Sequence, residues 1–141
     1  LISIDFELER KEILKRFRLL LKTAKPMLRD GDALVIKRAF FMALDAHKSM
    51  RRKSGEPYIF HPIAVAQIVV EEIGLGTTSI VCALLHDVVE DSSITLAEIE
   101  SIFGSKVARI IDGLTKISGV FDYGTSAQAE NFRKMILTLS Y

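Results

Sequence analysis

From about Asp5 to Lys25, apolar residues recur at Ile13, Phe17, Leu20 and Leu21, while Lys11, Lys15, Arg18 and Lys22 fall elsewhere on the same helical projection. That spacing predicts an amphipathic packing helix ended by Pro26. After the turn Asp30-Gly31-Asp32, with Asp32 as N-cap, a second helix should carry Ile36, Phe40, Ala43 and Leu44 inward and run to about Met50. His47 falls on its apolar face. The stretch Arg51-Arg52-Lys53-Ser54-Gly55-Glu56-Pro57-Tyr58 breaks the period and marks a loop. Pro62 is suited to the first turn of a third helix that ends near Ile73, where Gly74 can cap it, and His61 stands at its mouth.

A fourth helix, from Thr77 or Thr78 to about Glu90, is apolar nearly all round and should lie at the centre. It closes with His86-Asp87-Val88-Val89-Glu90-Asp91. Thr95 and Glu98 form a capping box for a fifth helix ended by Gly104, and Ser105 opens a sixth with Val107, Ile110, Ile111 and Leu114 on one side. Ser118 to Thr125 reads as a loop before a last helix bearing Ala129, Phe132, Ile136 and Leu139. No segment alternates with period two for long, and no repeat is visible, so the expected fold is an all-α orthogonal helical bundle. Residues 1–32 supply a packing helix and turn, and residues 33–141 the body of the same single domain.

With 141 residues, 49% of them hydrophobic, the chain can bury one real core. Nineteen Lys and Arg against eighteen Asp and Glu leave a formal charge of +1, so no general electrostatic grip on nucleic acid is expected and any anion must be met locally. The single cysteine, Cys82, sits in an apolar stretch as a small hydrophobe, which suits a reducing cytoplasm. The longest uncharged runs fall short of the roughly 20 residues of a membrane span. The opening Leu-Ile-Ser-Ile-Asp-Phe-Glu is not a signal peptide.

Chemistry is expected where polar residues interrupt a buried helix, because a carboxylate buried without a partner costs several kcal/mol, on the order of 3 to 5. At about 100° per residue, His86 and Glu90 lie one turn apart, with Asp87 and Asp91 in the next column, so one imidazole and three carboxylates should converge. An adjacent His-Asp pair offers nitrogen and oxygen to one divalent cation and suits Mn, Fe, Zn or Mg. His61 is the candidate to join it. His47 competes for that place, but its apolar neighbours favour a hydrogen-bonded core histidine, and it is left out of the ligand set. Taken by itself, the Arg52-Lys53-Ser54-Gly55 loop reads as a solvated basic loop; its position just before His61 favours an anion cradle.

Arg52-Lys53-Ser54-Gly55-Glu56-Pro57-Tyr58, His61-Pro62 and Leu85-His86-Asp87-Val88-Val89-Glu90-Asp91 together resemble the HD-type hydrolase domain of RelA/SpoT proteins. The likeness continues through Ile94-Thr95-Leu96, Phe103-Gly104, Asp112-Gly113-Leu114-Thr115-Lys116 and Ala129-Glu130-Asn131-Phe132-Arg133-Lys134-Met135, covering about residues 33 to 141. The resemblance implies removal of pyrophosphate from the 3′ position of guanosine tetra- or pentaphosphate (ppGpp or pppGpp), giving GDP or GTP, with Mn²⁺ as the ion. It implies His61, His86 and Asp87 as metal ligands, and Glu90 and Asp91 as the pair that handles the attacking water. Arg52 and Lys53, with Ser54 close by, are then expected to hold the guanine and phosphates.

It also implies a fourth ligand, an Asp in an Asp-Arg-Leu-His-Asn-like motif after the Arg-Lys-Met helix. The 141 residues do not reach that motif, so weak ion binding and little turnover are expected of them alone. Members that only synthesise the alarmone tend to have lost the His-Asp motif, so its retention implies a hydrolysing parent; the Ser54-Gly55-Glu56-Pro57-Tyr58 loop favours a long one that is also a synthetase over the family's small stand-alone hydrolases. The rivals are another HD phosphohydrolase, against which the Arg52 to Tyr58 loop speaks, and a catalytically silent helical regulatory module. Oligomeric state is left open.

Overall fold

The computed structural model describes residues 3–73 and 76–116, and every regular segment among them is helical. Helix α1, Phe6–Ala24, starts where the Asp5 carboxylate accepts the Leu8 N–H at 3.0 Å. A cap of this kind stabilises a helix by roughly 1 kcal/mol. Ile13, Phe17, Leu20 and Ala24 are buried one and two turns apart, with Leu21 half-buried beside them. Pro26 does not stop the chain abruptly but sits inside a 3₁₀ turn, Lys25–Met27.

Helix α2 is Asp32–Ala46, shorter at its C-terminus than the pattern suggests. The expected capping role of Asp32 is corrected: Gly31 takes the cap position at φ +87°, a left-handed conformation suited to glycine, and Asp32 is the first helical residue. Its carboxylate points back, accepting the Arg29 N–H at 2.9 Å and the Thr77 hydroxyl at 3.0 Å. One side chain thereby closes the turn and ties the starts of two helices together. Ile36, Ala39, Phe40 and Ala43 are buried, and the Phe40 ring stacks on Phe17 with centroids 3.9 Å apart. Burial of a phenylalanine of this kind contributes about 1.5 to 3 kcal/mol.

Helix α3, Phe60–Ile68, begins two residues before Pro62, which still lies in the first turn where its missing N–H goes unneeded. A π turn, Val69–Ile73, follows it. Gly74, the expected cap, lies outside the described residues. Helix α4, Thr77–Leu85, is the centre: Ser79 through Leu85 are all buried, and it packs on α2, α3 and α7. It stops at Leu85 rather than Glu90; His86 and Asp87 form a turn before the short α5, Val88–Asp91.

Helix α6, Leu96–Phe103, has the expected cap, with Thr95 accepting the Glu98 N–H at 3.2 Å, and ends at Gly104 with φ +98°. Helix α7, Ser105–Lys116, packs on α4 and α6 through Val107, Ile110, Ile111 and Leu114. The loop and last helix expected after Ser118 lie outside the described residues. No helix among the described residues is long and apolar enough to cross a membrane.

Candidate functional site

Three elements bring the site together. The turn between α4 and α5 supplies His86 and Asp87, the first turn of α3 supplies His61, and the loop between α2 and α3 supplies Tyr58. Asp87 Oδ2 is the focus. His86 Nε2 lies 3.1 Å from it, His61 Nε2 3.8 Å, and the Tyr58 hydroxyl donates to it at 2.6 Å. Ligand atoms of His61, His86 and Asp87 all lie within 4.8 Å of one another. Two imidazoles and a carboxylate at this spacing suit one divalent cation of borderline or hard character, whose own bonds span roughly 2.0 to 2.3 Å.

The environment of His86 supports the same chemistry. Its ring is buried, and Nδ1 faces the Ala83 carbonyl while Nε2 faces the Asp87 carboxylate. With Nδ1–H donating to the carbonyl, Nε2 turns a lone pair toward an anionic oxygen. Only a proton or a cation between them satisfies that geometry. Burial pulls the His86 imidazole down, but the Asp87 charge and hydrogen bond more than offset it, and the ring ends above the ordinary histidine range. For Asp87, burial pushes upward, yet the His86 charge and the hydrogen bonds from His86 and Tyr58 hold the carboxyl well below the usual carboxylate range. His61 behaves differently: burial, then repulsion by His86, lowers it to about 4, so near neutral pH it presents a lone pair. Burial followed by the Asp87 charge raises the Tyr58 hydroxyl, which stays protonated and able to donate.

The four residues expected to converge along one helix divide into two groups. His86 and Asp87 meet His61. Asp91 is one helical turn beyond Asp87, its N–H bonded to the Asp87 carbonyl at 3.0 Å, but its Oδ2 lies 3.2 Å from Nε2 of His47. His47 is buried, with Nδ1 3.0 Å from the Ala43 carbonyl. It is a hydrogen-bonded core histidine, and its partner is a residue of the same turn. Glu90 is exposed.

The basic loop is a compact turn. Arg52 N–H donates to the Glu56 carbonyl at 2.9 Å, Gly55 N–H to the Arg52 carbonyl at 2.8 Å, and Tyr58 N–H to the Met50 carbonyl at 3.0 Å. Gly55 has φ +93°, which only glycine adopts freely. Arg52, Lys53 and Ser54 are exposed, and the Arg52 guanidinium lies 5.8 Å from the Tyr58 ring centroid. Arg51 faces the other way: its guanidinium makes two bonds to Glu9 of α1, at 2.9 and 2.7 Å, and one to the Gly55 carbonyl at 2.7 Å. Sequence reasoning gave no role to Arg51 or Tyr58. Nothing in the pattern separates the first cation of a run from the next two, or one loop tyrosine from another.

Comparison with known proteins follows the same residues. A family model described as HD domain matches residues 39–141. A probable guanosine-3′,5′-bis(diphosphate) 3′-pyrophosphohydrolase of Synechocystis is 47% identical over 107 residues, 75% of this chain and 14% of that protein. The guanosine-3′,5′-bis(diphosphate) 3′-pyrophosphohydrolase of Vibrio cholerae is 42% identical over 117 residues, 82% of this chain and 16% of that protein. The bifunctional (p)ppGpp synthase/hydrolase SpoT of Escherichia coli is 45% identical over 105 residues, 74% of this chain and 15% of that protein. The chain thus spans about a seventh of the length of these curated relatives. With its all-helical fold and this similarity across most of its length, the chain belongs to the HD domain family, as an HD domain of the RelA/SpoT type.

Proposed function

We propose that the chain forms the hydrolase domain of a guanosine-3′,5′-bis(diphosphate) 3′-pyrophosphohydrolase, acting on ppGpp or pppGpp in the cytoplasm, within a parent that is also a synthetase. The observation that carries this is the meeting of His61, His86 and Asp87 beside a basic loop, in a chain whose relatives bear that name. His61, His86 and Asp87 would hold the ion, for which we propose Mn²⁺. A bound divalent cation lowers the pKa of water and screens phosphate charge.

In the reaction the oxygen of water bonds to the phosphorus carried by the ribose 3′ oxygen. The bond from that phosphorus to the 3′ oxygen breaks, the 3′ oxygen gains a proton, and pyrophosphate leaves. Asp91 and Glu90 are assigned to orienting the water and taking its proton. Arg52 and Lys53, with Ser54, are assigned to the guanine and phosphates, where planar guanidinium stacking and paired N–H donors fit both parts of the ligand. Backbone hydrogen bonds hold the loop in a compact turn, and the Arg52 guanidinium lies over the Tyr58 ring.

The test is release of pyrophosphate from ppGpp in the presence of Mn²⁺, using these residues extended through the family's downstream Asp-containing motif. Turnover that disappears in Asp87→Ala is expected; turnover that survives it refutes the assignment. Arg52→Ala should raise KM for the alarmone while leaving Mn²⁺ affinity unchanged. Equal loss of both would mean that the loop collapses instead.

A further inference from the structure

Tyr58 stands at the crossing of every part of the site. Its N–H bonds to the Met50 carbonyl at 3.0 Å, fixing it to the base of the loop, and its carbonyl accepts the His61 N–H at 2.9 Å, fixing the start of α3. Its ring is 4.7 Å from that of His47 and 5.8 Å from that of His61, with the Arg52 guanidinium 5.8 Å from its centroid. Its hydroxyl reaches a residue 29 positions away, meeting Asp87 Oδ2 at 2.6 Å. A donor to a carboxylate at this distance is a charge-assisted bond of the stronger kind.

We propose that Tyr58 is a positioning residue of the metal site, its hydroxyl holding the Asp87 carboxylate toward His61 and His86 while its ring carries Arg52 of the basic loop. This rests on the reading of His61, His86 and Asp87 as ligands. Asp87 stands at the N-cap of α5, yet its carboxylate makes no capping bond to that helix, so side chains from elsewhere set its direction. A hydrogen bond from a side chain anchored at both main-chain groups supplies that restraint. Partners of this kind, outside the coordinating set, typically change metal affinity 10- to 100-fold when removed.

Tyr58→Phe removes the hydroxyl and nothing else: the ring contacts and both main-chain bonds remain, so the fold is retained. Co²⁺ is the probe, because its visible absorption reports ligand geometry directly. The wild-type chain carried on through the family's downstream Asp-containing motif, and its Tyr58→Phe and Asp87→Ala variants, are titrated with Co²⁺ by calorimetry and absorption, and each is melted in EDTA to compare folds. The expected result is Co²⁺ binding about 10- to 100-fold weaker in Tyr58→Phe, with shifted visible bands and a melting temperature in EDTA close to wild type. Wild-type affinity and spectrum in Tyr58→Phe, alongside lost binding in Asp87→Ala, overturn the role of Tyr58 and leave the ligand assignment standing. Wild-type binding in Asp87→Ala, or no binding by the wild-type chain, overturns the ligand assignment and this proposal with it.

Discussion

In its proposed water-handling role Asp91 has one oxygen already engaged, since Oδ2 lies 3.2 Å from Nε2 of buried His47, whose other nitrogen faces the Ala43 carbonyl. A carboxylate held in this way has a fixed direction for its remaining lone pairs, which is what a group that orients water needs. Asp91→Asn and Glu90→Gln should each slow pyrophosphate release about 10²- to 10⁴-fold while Mn²⁺ affinity stays within a few fold. Near-normal turnover in both would take them out of the mechanism. His47→Leu should lower turnover in the same direction yet add little in an Asp91→Asn background, because both changes act on one interaction. Additive losses in that double mutant would show that His47 acts elsewhere. The His86-Asp87 pair is legible as candidate chemistry because charged residues interrupt an apolar run, although the turn that carries it is not. Tyr58 and Arg51 are not, because their partners, Asp87 and Glu9, stand 29 and 42 residues away and a side-chain bond across that distance leaves no periodic trace.

The helices show the same division between local and distant causes. The cap at Thr95, stripes such as Ile13, Phe17 and Leu20, and the all-round apolar α4 follow from spacing alone. The end of α4 at Leu85 does not. His86 and Asp87 keep right-handed backbone angles, φ −59° and −99°, so composition gives no break; the helical ladder is lost at a turn where the His86 ring takes up the Ala83 carbonyl of α4 and Tyr58 of the loop bonds the Asp87 carboxylate. Asp32 is similar, since Thr77 draws it from across the fold. Its hydrogen bonds from Arg29 N–H and then Thr77 hold its carboxyl below the usual aspartate range. A folded-state value lower than the unfolded one means stability that is present above the unfolded pKa and is lost as pH falls through the folded one. Asp32→Asn should therefore be less stable than wild type in urea at pH 7, with the gap narrowing below the ordinary aspartate pKa. A gap that is constant from neutral to acid pH would show that the charge on Asp32 is immaterial.

Across the described fold, α4 is the buried axis against which α2, α3 and α7 pack, and the His61, His86 and Asp87 cluster lies at the end of that axis. The proposed ligands come from the turn after α4 and the start of α3, so helix packing sets their spacing. The charge balance is another matter. His61 is neutral near pH 7, so among His61, His86 and Asp87 only one carboxylate opposes a divalent ion. Asp112, on α7, is not part of the cluster formed among the described residues, and Asp122 lies outside them. A hard cation is retained chiefly by anionic oxygen, so a further carboxylate should matter more than a further imidazole. We therefore expect these 141 residues alone to bind Mn²⁺ more than about tenfold more weakly than the same residues carried on through the family's Asp-containing motif, with turnover falling further still. Paired calorimetric titrations, with pyrophosphate release measured on the same samples, decide it. If both chains bind Mn²⁺ equally and release pyrophosphate at the same rate, the downstream carboxylate is dispensable, and His61, His86 and Asp87 complete the protein's share of the site.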